Sequence, residues 1–282
     1  MTQLAEVQAR LGNMRVLLDI VGAMRSLAGM RMQEAQHALP GVRRYAEIIA
    51  DAIADTLPRL PEPERAGRSG GRRALVACTA EHGFVGGFNE RLIEEVERVH
   101  RAGDMLFVLG TRGGAMLFER GRSPAWSHPM ATRSRAAIDV VQELSTELYR
   151  QIARGNIVRV DVMYLRMLQD AAAAIQWRAI LPFDVGALGR RAARQAPLHN
   201  LQPAALQEKL VAEYIFARLT EAAVESIASE NAARFAAMEA AHDNVEKKLN
   251  GLRQEAREAR QAEITTEILE LVTADAALAE AR

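Results

Sequence analysis

Several residue types are scarce in this sequence, and each scarcity excludes a class of protein. Cys78 is the single cysteine, so an internal disulfide is excluded and a reducing compartment is favoured. Aromatic residues make up 5% of the chain, and lysine occurs only at Lys209, Lys247 and Lys248. Acidic and basic residues balance at 36 each, which argues against a dedicated nucleic-acid binder because such proteins usually carry a basic excess.

Long apolar runs are missing as well. No stretch reaches the about 18 consecutive apolar residues that indicate a membrane-spanning helix. Residues 1–6 lack the apolar region of a signal peptide, so we expect the chain to work where it is made. The abundant residues are Ala, Leu, Arg and Glu, a mixture that favours long helices over extensive sheet.

Both ends of the chain carry apolar residues at the alternating spacing of three and four that is typical of a coiled coil. Near the start these are Leu4, Val7, Leu11, Met14, Leu18 and Val21. Near the end they are Phe235, Met238, His242, Val245, Leu249, Leu252, Ala256 and Ala259, with Ile264, Ile268 and Leu271 extending the stripe. The pattern predicts antiparallel pairing of residues 4–27 with residues 235–271. Pro40 marks a point where the first helix either kinks or breaks.

The middle of the chain alternates apolar strand-like runs with helical patterns, which predicts a mainly parallel, layered sheet. Pro- and Gly-rich residues 57–73 form a linker, and residues 182–203 form a loop. The predicted strands are 74–79, 105–110, 157–165 and 175–181, and the predicted helices are 90–101, 112–120 and 134–154.

The predicted fold is therefore α/β: a long antiparallel coiled coil of the N- and C-terminal helices plus a small Rossmann-like α/β domain. The predicted domains are an N-terminal coiled-coil helix (1–57), the α/β domain with its linkers (58–203) and a C-terminal coiled-coil helix (204–282).

A Gly-rich segment, residues 81–88, follows the first strand, and Asn89 is positioned to cap the next helix. The segment lacks the G-x-G-x-x-G and G-K-[ST] patterns of nucleotide-binding loops, so its glycines indicate a tight turn. The histidines show no metal-ligand spacing, Cys78 lies in an apolar strand, and His242 lies on the coiled-coil seam. We therefore predict no catalytic residues, no cofactor and no metal.

Motifs in three regions resemble the gamma subunits of F-type ATP synthases. Residues 20–36 match the family's N-terminal helix signature at Ile20, Ala23, Met24, Ala28, Met32, Ala35 and Gln36, and Arg31 keeps its charge. The Gly-rich segment matches at Gly83, Gly86, Gly87 and Asn89. Residues 229–238 are similar to the family's S-E-x-A-A-R-M-x-A-M, and residues 259–268 to its A-R-Q-x-x-I-T-x-E-L.

The resemblance implies a non-catalytic, rotating central-stalk subunit. It would couple ion flow through a membrane ring to ATP synthesis or hydrolysis at the beta subunits. Its implied partners are the alpha, beta and epsilon subunits and the ring of c subunits, with no nucleic acid and no membrane insertion. Its implied location is peripheral, on the cytoplasmic face of the bacterial inner membrane. The implied subunit-contact residues are Met24, Arg31, Arg260, Gln261, Thr265 and Glu267.

The sequence also departs from the family. Gly22, Gln33 and Glu34 replace basic residues, Val85 replaces a cysteine, and residues 199–203 match the ring-facing motif clearly only at Pro203. These departures leave open a divergent bacterial variant. From the residues alone, a standalone coiled-coil scaffold and a nucleotide-binding enzyme are the alternative hypotheses.

Overall fold

The computed structural model describes residues 3–56, 71–167, 173–182 and 200–280, so most of the predicted linker and most of the predicted 182–203 loop lie outside the described residues. The elements in chain order are α1 (Gln3–Thr56), β1 (Arg72–Cys78), α2 (Phe88–Val99), β2 (Met105–Leu109), α3 (Thr111–Glu119), β3 (Trp126–His128), a 3-10 turn (Ser134–Ala136), α4 (Ala137–Ala153), β4 (Ile157–Met167), β5 (Ala173–Leu181) and α5 (Pro203–Glu280).

Helix α1 continues through Pro40 instead of breaking there. Proline in a helix interior removes one backbone hydrogen bond and costs about 3 kcal/mol, so packing on both sides has to hold the helix. Ala35 and Ala46 are buried on either side of Pro40 and supply such packing. Of the two possibilities that the sequence left open, the structure therefore has the continuous helix.

The described residues form two compact units. One combines α1 up to Leu27 with α5 from Phe235 onward, and the other comprises Ala28–Arg234. In the first unit, Leu11 packs with Val245 and Leu249, and Met14, Leu18, Leu252 and Ala256 surround this cluster. Arg25 lies 3.4 Å from Glu239. Early residues of α1 therefore meet late residues of α5, which confirms the antiparallel coiled coil.

The pairing ends earlier than residue 271. All eight residues predicted for the C-terminal seam, from Phe235 to Ala259, are buried or half-buried. Ile264, Ile268 and Leu271 are 49%, 55% and 71% exposed, so the predicted extension of the seam over these residues is wrong. The reason is length: Leu4 already lines a shared groove with Ala256 and Arg260, and α1 begins at Gln3.

The second unit is built on a five-stranded sheet of order β3-β2-β1-β4-β5. All neighbouring strands are parallel except β5, which is antiparallel to β4. This confirms the mainly parallel sheet and adds β3, whose three residues are too few to show a periodic pattern. After β1, the chain adds β2 and then β3 on one side of β1. It later adds β4 on the opposite side of β1, so the strand order reverses between β1 and β4.

Helices cover both faces of this sheet. Ala74, Val76 and Cys78 of β1 face a cluster that contains buried residues of α4 and α5. The alternate residues, Leu75 and Ala77, face a second cluster with residues of α2 and α3. Successive side chains of a strand point to opposite faces of the sheet, so each strand contributes to two cores. Full burial of one aliphatic side chain stabilises the fold by about 1.5–3 kcal/mol.

The coiled coil leads to a test on one helix. Leu249 is buried in the seam and Leu271 is largely exposed, although both belong to α5. Leu249→Asp places an unpaired charge in an apolar contact, so we expect a loss of several kcal/mol, on the order of 3, in unfolding free energy. Leu271→Asp is the matched control and should leave thermal unfolding of the isolated subunit unchanged. Equal melting temperatures for both variants would contradict this pairing.

Candidate functional site

The Gly-rich loop, residues 81–87, is held by an arginine from α5. Arg234 donates hydrogen bonds to the backbone oxygens of His82 and Gly83, each at 3.3 Å. Its guanidinium also lies 2.6 Å from the carboxylate of Glu230, one helical turn earlier, and both side chains are buried. The structure thus brings together two motifs that lie about 150 residues apart in the sequence.

The surroundings of Glu230 change the pKa of its carboxyl group. Burial raises the pKa of Glu230, while the charge and hydrogen bond of Arg234 oppose the rise. The backbone N–H of Glu81 and the ring of His82 oppose it as well. The Glu230–Arg234 pair is therefore a mutually dependent buried ion pair, and either member alone would be an uncompensated charge.

Helix α5 also crosses the carboxyl ends of β1 and β4. Ser226 Oγ donates to the backbone oxygen of Cys78, the last residue of β1, at 3.1 Å. The backbone N–H of Met167, the last residue of β4, donates to Ser229 Oγ at 3.0 Å. In open α/β sheets, ligands bind outside the carboxyl ends of the strands where strand order reverses. Here α5 contacts both strand ends at that position.

At His82 and Gly83 the loop has the wrong polarity for a phosphate cradle. A phosphate-binding loop presents backbone N–H groups to the anion. This loop presents the carbonyls of His82 and Gly83 to a cation, Arg234. Gly86 has a φ of +55°, which supports the prediction of a tight turn. The loop also presents Phe84, which is 68% exposed and has a φ of +60°, a conformation that bulky residues rarely adopt.

Two side chains fix the base of the loop. The carboxylate of Glu81 accepts hydrogen bonds from the backbone and hydroxyl of Thr111, at the start of α3, and from the backbone of Met130. Burial alone would raise the pKa of Glu81, but these hydrogen bonds outweigh it and lower the pKa. Asn89 does not cap α2, because α2 begins at Phe88 and Gly87 holds the cap position. Its Oδ1 instead accepts from the backbone of Ala80 at 2.9 Å.

The predicted subunit-contact residues lie in three places. Met24 is half-buried in the coiled-coil unit, and Arg31 is half-buried in the α/β unit. Among the described residues, Arg31 Nε is buried and has no hydrogen-bond acceptor. The other four, Arg260, Gln261, Thr265 and Glu267, are exposed on α5 where the coiled coil ends. The structure therefore groups the last four residues on one stretch of α5.

An uncovered apolar face accompanies these four residues. Ile264, Ile268, Leu271 and Val272 are all about half exposed or more, and their spacing of four, three and one places them along one side of α5. Exposed apolar patches of this kind mark interaction sites.

Cys78 is buried, and burial raises the pKa of its thiol to about 12, so it is a core residue as predicted. Among the described residues, the one grouping of possible metal ligands is His242, Asp243 and Glu246, two of which are exposed acids on a helix surface. No helix in the described ranges has an apolar stretch long enough to cross a membrane.

Comparison with known proteins agrees with this architecture. A family model described as ATP synthase matches residues 3–278. The chain belongs to the ATP synthase family. The ATP synthase gamma chain of Thermobifida fusca is 29% identical over 303 residues, covering 99% of this chain and 97% of that one. The gamma chain of Chlorobaculum tepidum is 26% identical over 291 residues, covering 99% of both.

A solved structure shares the fold. The rotor of the Euglena gracilis mitochondrial ATP synthase matches with a TM-score of 0.63 at 13% identity, covering 93% of this chain and 98% of that chain. Together with the gamma-chain relatives, it confirms the resemblance to the central-stalk gamma subunit that the motifs indicated.

The structure also shows buried charged groups that the sequence analysis did not predict. Glu221 and Glu225 on α5 are buried charges with arginine partners from α1, β4 and β5. A sequence signal was present: two glutamates four residues apart interrupt a segment of otherwise mostly apolar residues, 215–228.

The Glu230–Arg234 pair generates a pH-dependent prediction. Arg234→Met leaves Glu230 buried without its cation, so we expect a loss of about 3–5 kcal/mol in unfolding free energy at pH 8. A carboxyl group whose folded-state pKa is raised costs stability above that pKa and costs none below its unfolded value, about 4.3. The loss should therefore shrink as the pH falls from 8 toward 5, measured by urea unfolding beside wild type.

The double variant Glu230→Gln, Arg234→Met is the control for this experiment. It lacks the carboxylate as well as the cation, so its unfolding free energy should exceed that of Arg234→Met at pH 8, and the difference between the two variants should shrink as the pH falls toward 5. A single variant that loses the same stability at pH 8 and pH 5 would show that Glu230 carries no buried charge.

The loop polarity generates a second prediction. Because carbonyls face Arg234 and α5 contacts the strand ends, we expect the isolated subunit to show no stoichiometric binding of Mg-ATP in isothermal calorimetry. Binding with micromolar affinity that is lost in Gly86→Val, where a β-branched residue strains the turn, would contradict this interpretation.

Proposed function

We propose that this chain is the rotating shaft of an F-type ATP synthase. It couples ion movement through a membrane ring to ATP synthesis or hydrolysis at the beta subunits. The observation that carries the proposal is the end of α5, which continues past its coiled-coil partner as a single helix with an uncovered apolar face. From residue 261 to Glu280 this end spans roughly 30 Å at 1.5 Å per residue.

A single helix of that length with exposed apolar residues needs a surrounding protein. The alpha and beta subunits of the complex supply that surrounding in our proposal, as a ring into which the coiled coil inserts. The uncovered residues Ile264, Ile268 and Leu271 then contact an apolar inner surface that allows the helix to turn, because apolar contacts are non-directional.

The polar residues beside this face give the turning helix a specific contact. We propose that Arg260 and Gln261, with Thr265 and Glu267, bind a loop of one beta subunit at a time. Arginine forms bidentate hydrogen bonds with carboxylates, and glutamine both donates and accepts. The hydroxyl of Thr265 donates to the backbone of Gln261 at 2.8 Å, so its oxygen can still accept a hydrogen bond from a partner. Met24 and Arg31 are proposed as further contacts, because both residues keep part of their surface exposed.

In this proposal the chain itself performs no catalysis, because the nucleotide chemistry belongs to the beta subunits. The loop polarity and the strand ends contacted by α5 support that division of roles. The α/β unit contacts the epsilon subunit and the ring of c subunits, and the chain lies peripherally on the cytoplasmic face of the bacterial inner membrane. The predicted domains, 1–57, 58–203 and 204–282, remain a proposal for how the sequence divides between these tasks.

The test is the double variant Arg260→Ala, Gln261→Ala in a reconstituted complex of alpha, beta and this chain. Both residues are exposed, so folding should be unaffected, whereas each lost hydrogen bond to a charged group costs about 1.5–3 kcal/mol. Steady-state ATP hydrolysis should fall at least tenfold, since about 1.4 kcal/mol corresponds to a factor of ten. Assembly is checked by gel filtration.

The chain provides a matched control. Arg253 and Gln254 form the same dipeptide two helical turns earlier, are also exposed, and hydrogen-bond to Asn250 and Glu258 on their own helix. Arg253→Ala, Gln254→Ala should assemble and turn over like wild type. Equal turnover in both double variants would remove Arg260 and Gln261 from the contact, and failure of wild type to assemble with alpha and beta would remove the proposed function.

A further inference from the structure

Two buried glutamates on α5 form the centre of an ion-pair network within the α/β unit. The side chains of Glu221 and Glu225 are 4% and 2% exposed and lie one helical turn apart. Arg43 of α1 pairs with both: its Nη2 contacts Glu225, and its Nε lies 3.4 Å from Glu221. One guanidinium therefore bridges the two carboxylates and connects the two long helices.

The same carboxylates also bind the sheet. Arg178 of β5 approaches both oxygens of Glu221, with Nη1 at 2.6 Å and Nη2 at 3.2 Å. Arg166 of β4 lies 3.9 Å from Glu225, and Arg218 of α5 lies 2.9 Å from Glu221. Arg178 also lies over the ring of Tyr164 of β4, 5.9 Å from its centre. The network thus joins four elements: α1, α5, β4 and β5.

Apolar residues of mixed size surround the network. The buried apolar residues of α5 in this segment include Ala217, Ala222, Ala223 and Ala228 and the larger Ile215, Leu219, Val224 and Ile227. Apolar burial is non-directional, so these contacts stabilise the unit without selecting one angle between the helix and the sheet. Charge-assisted hydrogen bonds with a bidentate arginine are directional and fix one geometry.

We infer that the Arg43–Glu221–Glu225–Arg178 network is a torsional clamp, which holds α1 and α5 at a fixed angle to the sheet when torque passes through the subunit. This inference rests on the proposed rotary function. It assigns positioning residues for coupling, and Arg43 is the central one because it contacts both glutamates.

The experiment measures stiffness directly. A probe is attached to Arg122→Cys, an exposed position of the α/β unit, while the native Cys78 is buried and unreactive. Rotation of the alpha-beta complex is recorded at limiting ATP, and the angular variance of the probe is taken during the pauses between steps. Arg43→Met should raise this variance about twofold, because one side chain supplies the α1 contacts of both carboxylates. The rate of ATP hydrolysis should be unchanged.

The neighbouring Arg44 provides the matched control. It pairs with Glu47 on the surface of the same helix, and these side chains are 69% and 51% exposed. Arg44→Met should show wild-type variance. Arg43→Lys keeps the charge but lacks the fork that reaches two carboxylates, so it should raise the variance by a smaller factor and keeps the test decisive if Arg43→Met does not assemble.

A purely stabilising role is distinguished by an apolar quadruple variant, Arg43→Met, Arg178→Met, Glu221→Leu, Glu225→Met. Replacing both members of buried ion pairs with apolar residues often preserves stability, and the remaining Arg166 and Arg218 are partly exposed. The clamp predicts that this variant melts near the wild-type temperature and still shows raised variance. Wild-type variance in Arg43→Lys and in the quadruple variant would overturn the clamp while rotation continues. A wild-type complex that does not rotate under ATP would overturn the proposed function, and the clamp with it.

Discussion

Residues 219–232 of α5 are buried on every side of the helix, although they include Glu221, Glu225 and Glu230. A buried charge without a partner costs several kcal/mol, so this segment can exist only if each polar group finds a partner from another element or an adjacent turn. Those partners come from α1, β1, β4, β5 and the Gly-rich loop. The arrangement of the α/β unit around its last helix follows from this requirement.

Beyond Phe235 the burial pattern of the same helix changes. Only every third or fourth residue is buried there, so the buried residues form a single stripe along one side. That stripe needs one apolar partner helix and no polar partners, which α1 supplies as far as its first residues. One continuous helix therefore changes from all-round burial with paired charges to a one-sided seam, and then to an uncovered end. Each change in burial accompanies a change in sequence pattern, from buried Glu and Ser, to regular 3-4 spacing, to exposed isoleucines and leucines.

Periodicity made much of this predictable. The seam from Leu11 to Leu18 against Val245 to Ala256, the parallel strands and the Gly-rich turn depend on local spacing or on apolar runs, which can be read one segment at a time. The network of Arg43, Glu221 and Arg178 could not be read in that way, because its members are distant in sequence and only the tertiary register selects which arginine meets which glutamate. The prediction that Asn89 caps α2 was wrong for a similar reason. Its side-chain oxygen accepts a hydrogen bond from the backbone N–H of Ala80, which lies outside that helix. The predicted extension of the seam was wrong because the apolar spacing continues through Ile264 and Ile268, where α1 no longer lies beside α5.

The composition of the uncovered end of α5 indicates what kind of contact it makes. Permanent interfaces resemble a domain core and are strongly apolar, whereas transient ones combine apolar anchors with polar and charged groups. Ile264 and Ile268 alternate here with Arg260, Gln261, Thr265 and Glu267, all exposed on the same stretch of helix. A partner that bound this surface permanently would have to desolvate those polar groups continuously. A succession of partners that each satisfy them briefly avoids that cost, and this favours a helix that turns within a ring of similar subunits over one that is fixed in a static scaffold.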